Sequence, residues 1–210
     1  MSDEVTLNYG LWEMAVLSLL REQALHPYEI QRLLKARRKD DVLVLKRGSL
    51  YHAIKRLADA GLIEATATTR EGRRPERTTY AITLAGRAVL PQWLKNLIAI
   101  PVRERSNFMG AVSFLFHLTP QEAITGLKSR ITLLENEIAA NDARLNEALP
   151  RIGRIHLVEL EYSQAMQSAE LNWVKNILSD LEAGRLKWDW AKIMKAAHAP
   201  AAKTSKRKTK

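Results

Sequence analysis

Two threonine-rich segments with strand character, Leu62-Ile63-Glu64-Ala65-Thr66-Ala67-Thr68 and Thr78-Thr79-Tyr80-Ala81-Ile82-Thr83, flank a loop bearing Gly72, Pro75 and the arginines Arg70, Arg73, Arg74 and Arg77. β-branched runs separated by a Gly/Pro loop read as a β-hairpin with a long basic tip. Almost everything else in the chain has helical periodicity, so this hairpin limits the fold more than any other feature. Before it stand three helices. Residues 11–20 place Trp12, Val16, Leu19 and Leu20 on one face. Pro27 suits the first turn of a second helix running to the basic stretch Lys35–Lys39, which Asp40-Asp41 stops. Val42–Leu45 reads as a short extended run, and Lys46-Arg47-Gly48-Ser49 opens a third helix that ends before Gly61. Three helices followed by a basic hairpin is the order of a winged helix-turn-helix.

The third helix divides cleanly. At 100° per residue, Leu50, Ile54, Leu57 and Ala58 share one side, while His52, Lys55, Arg56 and Asp59 lie opposite, with Ser49 and Tyr51 leading. Such a helix can bury one face and lay the other in a major groove. Arg47, Ser49, Tyr51, His52, Lys55 and Arg56 are therefore candidate DNA contacts. Arg70, Arg73, Arg74 and Arg77 of the loop would follow the phosphate backbone or the neighbouring minor groove.

Charge supports an anionic partner only in part. The net charge is +10, of which residues 1–85 supply +3, residues 86–202 +2 and Lys203–Lys210 +5. Half the excess is a tail, which alone is consistent with a non-specific DNA-associated protein. No cysteine is present, and Met1-Ser2-Asp3-Glu4 does not start a secretory signal, so a cytoplasmic, nucleoid-associated protein is expected. The histidines His26, His52, His117, His156 and His198 fall on separate elements, without a phosphate loop or nucleophile elbow. No enzyme, cofactor or metal site is expected.

Beyond the hairpin the pattern is helical. Residues 83–98 form a fourth helix with Pro91 as a kink or interruption, and Asn107 to Leu118 a short one. Thr119-Pro120-Gln121-Glu122 carries the elements of a capping box. Ile124, Leu127, Ile131, Leu134, Ile138, Asn141 and Leu145 then follow 3-4 spacing, a heptad seam with one polar position. After Pro150 and Gly153 a second long helix returns through Ile155, Val158, Tyr162, Met166, Ala169, Trp173, Ile177 and Leu181. Two helices seldom satisfy two seams, so a four-helix arrangement with a second chain is expected. Leu127, Ile131, Leu134, Ile138, Leu145, Tyr162, Trp173, Ile177 and Leu181 would line that dimer interface. The fold class is mainly α with a small β-hairpin wing. It comprises a winged helix-turn-helix over 1–90, a dimerising antiparallel helical domain over 91–195, and a disordered basic tail over 196–210.

The blocks Leu17-Ser18-Leu19-Leu20, His26-Pro27-Tyr28-Glu29-Ile30, Gly48-Ser49-Leu50-Tyr51, Lys55-Arg56-Leu57, Gly61-Leu62-Ile63 and Arg77–Gly86 resemble the PadR family of transcriptional regulators. The C-terminal half is similar in design to its long-tailed subfamily. The resemblance implies a homodimer reading an inverted repeat in double-stranded DNA, with repression relieved by a small ligand. It points to Ser49, Tyr51, His52, Lys55 and the wing arginines as DNA contacts, and to Trp173 as a site for a small aromatic effector, beside the plainer reading of Trp93, Trp173, Trp188 and Trp190 as core or interface packing. An activator of the same fold stays open.

Overall fold

The computed structural model describes residues 10–43, 47–69, 77–103 and 106–197. It divides into two compact units, Met1–Arg103 and Glu104–Lys210.

In the first unit, α1 (Leu11–Leu20), α2 (Pro27–Ala36) and α3 (Arg47–Asp59) precede β1 (Ile63–Thr69), β2 (Arg77–Ile82) and α4 (Leu84–Ala99). Local chemistry sets these boundaries. His26 caps α2, its Nδ1 accepting the Tyr28 N–H at 3.1 Å while its own N–H donates to Glu29 Oε2 at 3.0 Å, and Pro27 occupies the first turn. Gly61, at φ +67°, ends α3 in the left-handed conformation that costs glycine little. Its carbonyl accepts the Thr83 hydroxyl at 2.8 Å, and the same hydroxyl accepts the Gly86 N–H at 3.1 Å, capping α4. Gly86 thereby comes so close to the α3–β1 corner that a Cβ would lie 2.1 Å from the Leu62 carbonyl oxygen. The corner, the hairpin and α4 are fixed together.

The hairpin is antiparallel, pairing Ile63 with Ile82 and Thr69 with Arg77, with a register shift between Ala65 and Ala67. That bulge increases the local twist of the wing. A third extended piece joins it: Leu25 and Tyr80 exchange two backbone hydrogen bonds of 3.0 Å. The core lies between the helices and the hairpin base, with Val16, Leu17, Ile30, Leu50 and Leu57 no more than 1% exposed.

Three sequence expectations need correction here. α2 ends at Ala36, not Lys39, because Arg38 takes a left-handed conformation (φ 52°) and a 3-10 turn follows over Lys39–Asp41. Val42 and Leu43 do not form a strand; Leu43 drops from this turn into the core at 5% exposure, and Val44 and Leu45 lie outside the described residues. Pro91 does not interrupt α4, which runs from Leu84 to Ala99. The carbonyl it deprives of a donor belongs to the exposed Arg87, where water can serve. The first unit also extends past 90, since Leu90 belongs to its core and Trp93 packs on it.

The second unit holds α5 (Asn107–Ser113), α6 (Pro120–Ala148), α7 (Val158–Glu182) and α8 (Trp190–Ala197). Thr119 and Glu122 form the capping box that starts α6. Antiparallel α6 and α7 are cross-linked along their length by Lys128–Glu182 at 2.7 Å, Glu135–Lys175 at 2.7 Å and Asn141–Gln167 at 2.9 Å. Residues 198–210, most of the expected tail, lie outside the described residues.

Candidate nucleic-acid interface

α3 buries Leu50, Ala53, Ile54 and Leu57, each 3% exposed or less. Ala53 completes this face where the sequence suggested Ala58, which is exposed. Outward stand Tyr51, 53% exposed, with His52, Lys55 and Arg56; Ser49 is half-buried at the leading turn. Arg47 is the first residue of α3 and Arg77 the first of β2, while Arg70, Arg73 and Arg74 lie outside the described residues.

The two described cations of this face differ in their partners. Lys55 Nζ meets Asp59 Oδ2 at 2.6 Å, one helical turn on, with both side chains well exposed. Such a pair is worth about 0.3–0.5 kcal/mol and opens readily. Arg56 instead reaches across to Glu13 of α1, its Nε donating to Oε1 at 2.6 Å and its Nη2 to the same oxygen. Glu13 is wholly buried, and its other oxygen accepts the Gly10 N–H at 2.9 Å. A buried carboxylate is tolerated only when paired and hydrogen-bonded. Arg56 therefore ties α3 to α1. The sequence reading missed Glu13. Its signal was a single acid between Trp12 and Met14 in an otherwise apolar helix.

A second ionic clamp fixes the α1–α2 corner. Arg37 Nη1 and Nη2 donate to the two Glu22 oxygens at 2.5 and 2.7 Å. These hydrogen bonds hold the Glu22 carboxyl below its usual range and Arg37 above its own.

The residues expected at a dimer interface separate into two groups. Leu127, Leu134 and Leu181 are 6–7% exposed within one chain, and Ile131, Ile138, Leu145 and Ile177 are half-buried. Intramolecular packing of α7 on α6 covers the heptad seam, because the turn between them is short enough to fold α7 straight back. The inward face of α7 carries Gln167, Glu170, Val174, Ile177 and Leu181, so the stripe divides between its C-terminal end and Tyr162 to Trp173. Tyr162, Met166 and Trp173 remain 68%, 53% and 40% exposed along one side of α7. The Trp173 ring meets Phe108 edge-on at 5.9 Å, and the Arg130 guanidinium lies 3.6 Å over the Phe108 ring. Asn141, the polar seam position, is buried and bonded to Gln167.

Among the described residues no group of three or more His, Asp or Glu could hold a metal, and no helix is long and apolar enough to cross a membrane.

A three-helix core with an attached hairpin, presenting one polar helix face held rigidly from behind, is a winged helix-turn-helix, a DNA-binding class. Residues 16–92 match the model of the transcriptional regulator PadR-like family. A curated relative, negative transcriptional regulator PadR of Bacillus subtilis (strain 168), is 25% identical over 178 residues, spanning 80% of this chain and 96% of that protein. The crystal structure of Bacillus subtilis PadR in complex with operator DNA superposes with a TM-score of 0.67 at 22% identity, covering 82% of this chain and 99% of that one. The same protein in complex with p-coumaric acid gives 0.67 at 20% identity, with the same coverage. Over residues 16–92 the chain carries the PadR-like family's domain. It is a DNA-binding transcriptional regulator, and the family is not an enzyme class.

Proposed function

We propose that the chain is a homodimeric, site-specific repressor that acts at the nucleoid in the cytoplasm and binds an inverted repeat through the exposed face of α3. Ser49, Tyr51, His52 and Lys55 read the major groove, Arg47 supports the helix start, and Arg70, Arg73, Arg74 and Arg77 hold the flanking backbone. One observation carries this reading: Tyr51, His52 and Lys55 stand exposed on a helix that Glu13 and Arg56 pin from behind. Groups held rigidly in one geometry bind with little ordering cost, which favours discrimination between sequences. The operator complex of the Bacillus subtilis relative supports the same use of the fold.

The apolar stripe of Tyr162, Met166 and Trp173 on α7 is the surface that a second chain would cover. A small aromatic ligand is the proposed release signal, on the precedent of the p-coumaric acid complex of the relative, with Trp173 as the residue that would feel it. Tyr51→Ala and Lys55→Ala should each weaken operator binding about tenfold or more, while sedimentation shows an unchanged dimer. Operator affinity equal to wild type in both variants rules out groove docking through α3.

A further inference from the structure

A carboxylate with no solvent exposure is not needed to join α1 to α3. Apolar side chains of similar volume in place of a buried ion pair often leave stability unchanged or raise it. What the Glu13–Arg56 pair fixes is the attitude of one guanidinium. Arginine carries five N–H donors on a planar fork. The Nε hydrogen and one Nη2 hydrogen of Arg56 meet Glu13 Oε1, the first at an N–O distance of 2.6 Å, and Glu13 Oε2 is held in turn by the Gly10 N–H at 2.9 Å. Only that side of the fork is occupied. Both Nη1 hydrogens and the second Nη2 hydrogen meet no acceptor among the described residues. Arg56 keeps 62% of its side chain exposed, and it follows His52 by one turn along α3.

We propose that the buried Glu13 of α1 is a positioning residue for operator recognition: it grips one side of the Arg56 fork and so presents the free Nη1–Nη2 end to a guanine. The inference rests on the docking of α3 in the major groove proposed above. The free end offers two parallel N–H groups, the pattern that pairs with O6 and N7 of guanine. Lys55 has no such preference built in, because its ammonium turns to any acceptor and is tied only to the exposed Asp59. A fork fixed before binding loses little rotamer freedom on contact. It also cannot swing to a neighbouring phosphate without leaving Glu13 buried and unpaired. Selectivity is thereby favoured over general affinity. The Arg56 charge is already paired, so it adds little to the binding of arbitrary sequence, while its directional donors remain. Phosphate is the competing acceptor for the same two N–H groups, and the guanine N7 atom separates the two cases.

The test uses the full chain and the duplex that it selects from a random library, titrated by anisotropy beside a scrambled duplex and a copy with every guanine replaced by 7-deazaguanine, which lacks N7. The variants are Arg56→Lys, Glu13→Gln, the two combined, and Ile30→Val, which weakens the same core without changing either residue. Preference for the selected duplex should fall about tenfold or more in Arg56→Lys and at least about threefold in Glu13→Gln. The combined variant should be no worse than Arg56→Lys, and Ile30→Val should keep the wild-type preference. On scrambled duplex, Arg56→Lys should keep the wild-type dependence on salt. Deazaguanine should weaken wild-type binding about tenfold and Arg56→Lys binding less than about threefold. A deazaguanine loss of equal factor in both proteins means that Arg56 does not meet guanine and overturns the proposal. So does a preference that Glu13→Gln lowers no more than Ile30→Val does. A wild-type chain that selects no sequence counts against site-specific repression, and the proposal falls with it.

Discussion

Replacing Arg56 by alanine strands the Glu13 carboxylate inside the first unit. Removing one partner of a buried ion pair costs about 3–5 kcal/mol when both charges are desolvated. Here only Glu13 is buried; Arg56 is 62% exposed, and Glu13 keeps its hydrogen bond from Gly10. Water can also enter where the guanidinium stood, so about 2–3 kcal/mol is the expected loss. Glu13→Gln keeps one acceptor oxygen and turns an NH2 group toward either Arg56 or the Gly10 N–H, so it removes the buried charge but should still cost about 1–2 kcal/mol. For a unit of this size 1 kcal/mol corresponds to about 4–8 °C, so Arg56→Ala should lower the first calorimetric transition by about 10–20 °C. The double variant leaves no buried charge to satisfy, and it should be less destabilised than the sum of the singles by at least about 1 kcal/mol. Additivity within about 0.5 kcal/mol would refute the claim that these two side chains act as one clamp.

Gly86→Ala places a methyl against the Leu62 carbonyl and should destabilise by about 2 kcal/mol or more, whereas Gly48→Ala, with nothing within 4 Å, should be neutral or stabilising; denaturant midpoints distinguish them. In the second unit, Leu134→Ala should lower stability by about 2–4 kcal/mol, because Leu134 is buried by its own chain. Tyr162→Ala, at an exposed position, should leave monomer stability within about 0.5 kcal/mol and raise the dimer dissociation constant, read by sedimentation equilibrium. Glu22 has a folded pKa below its unfolded value, so its contribution is present above the ordinary glutamate range and is lost as pH falls through the folded pKa. Glu22→Gln should remove that acid-limb dependence; both partners are nearly half exposed, so its size is under about 1 kcal/mol.

Much of the first unit is readable from the sequence because local chemistry sets its boundaries. The 3-4 spacing of Leu50, Ile54 and Leu57 and the Thr-rich segments around a Gly/Pro loop each specify an element from a few neighbouring residues, as Thr119 with Glu122 does in the second unit. What was illegible depends on partners distant in sequence. Glu13 looks like a solvated residue until Arg56, far along the chain, is placed beside it. Leu25 is too short a segment to read as a strand without Tyr80 as its partner. The sequence put Tyr162, Trp173, Ile177 and Leu181 together on a dimer interface, whereas only Ile177 and Leu181 pack within the chain. The true inward face contains Gln167 and Glu170, which hydrophobicity alone disfavours and which Asn141 and Arg130 satisfy. Polar pairing chose the packed face there, and periodicity does not register it.

The central claim, that an exposed and rigidly held α3 makes this chain a site-specific regulator, is tested most directly by anisotropy. The protein is titrated with duplex from upstream of its own gene and with a scrambled duplex of equal length, both at near-physiological salt. The account predicts a preference of about a thousandfold or more, which Tyr51→Ala reduces while binding to the scrambled duplex stays the same. A preference that Tyr51→Ala and Lys55→Ala leave intact would contradict it.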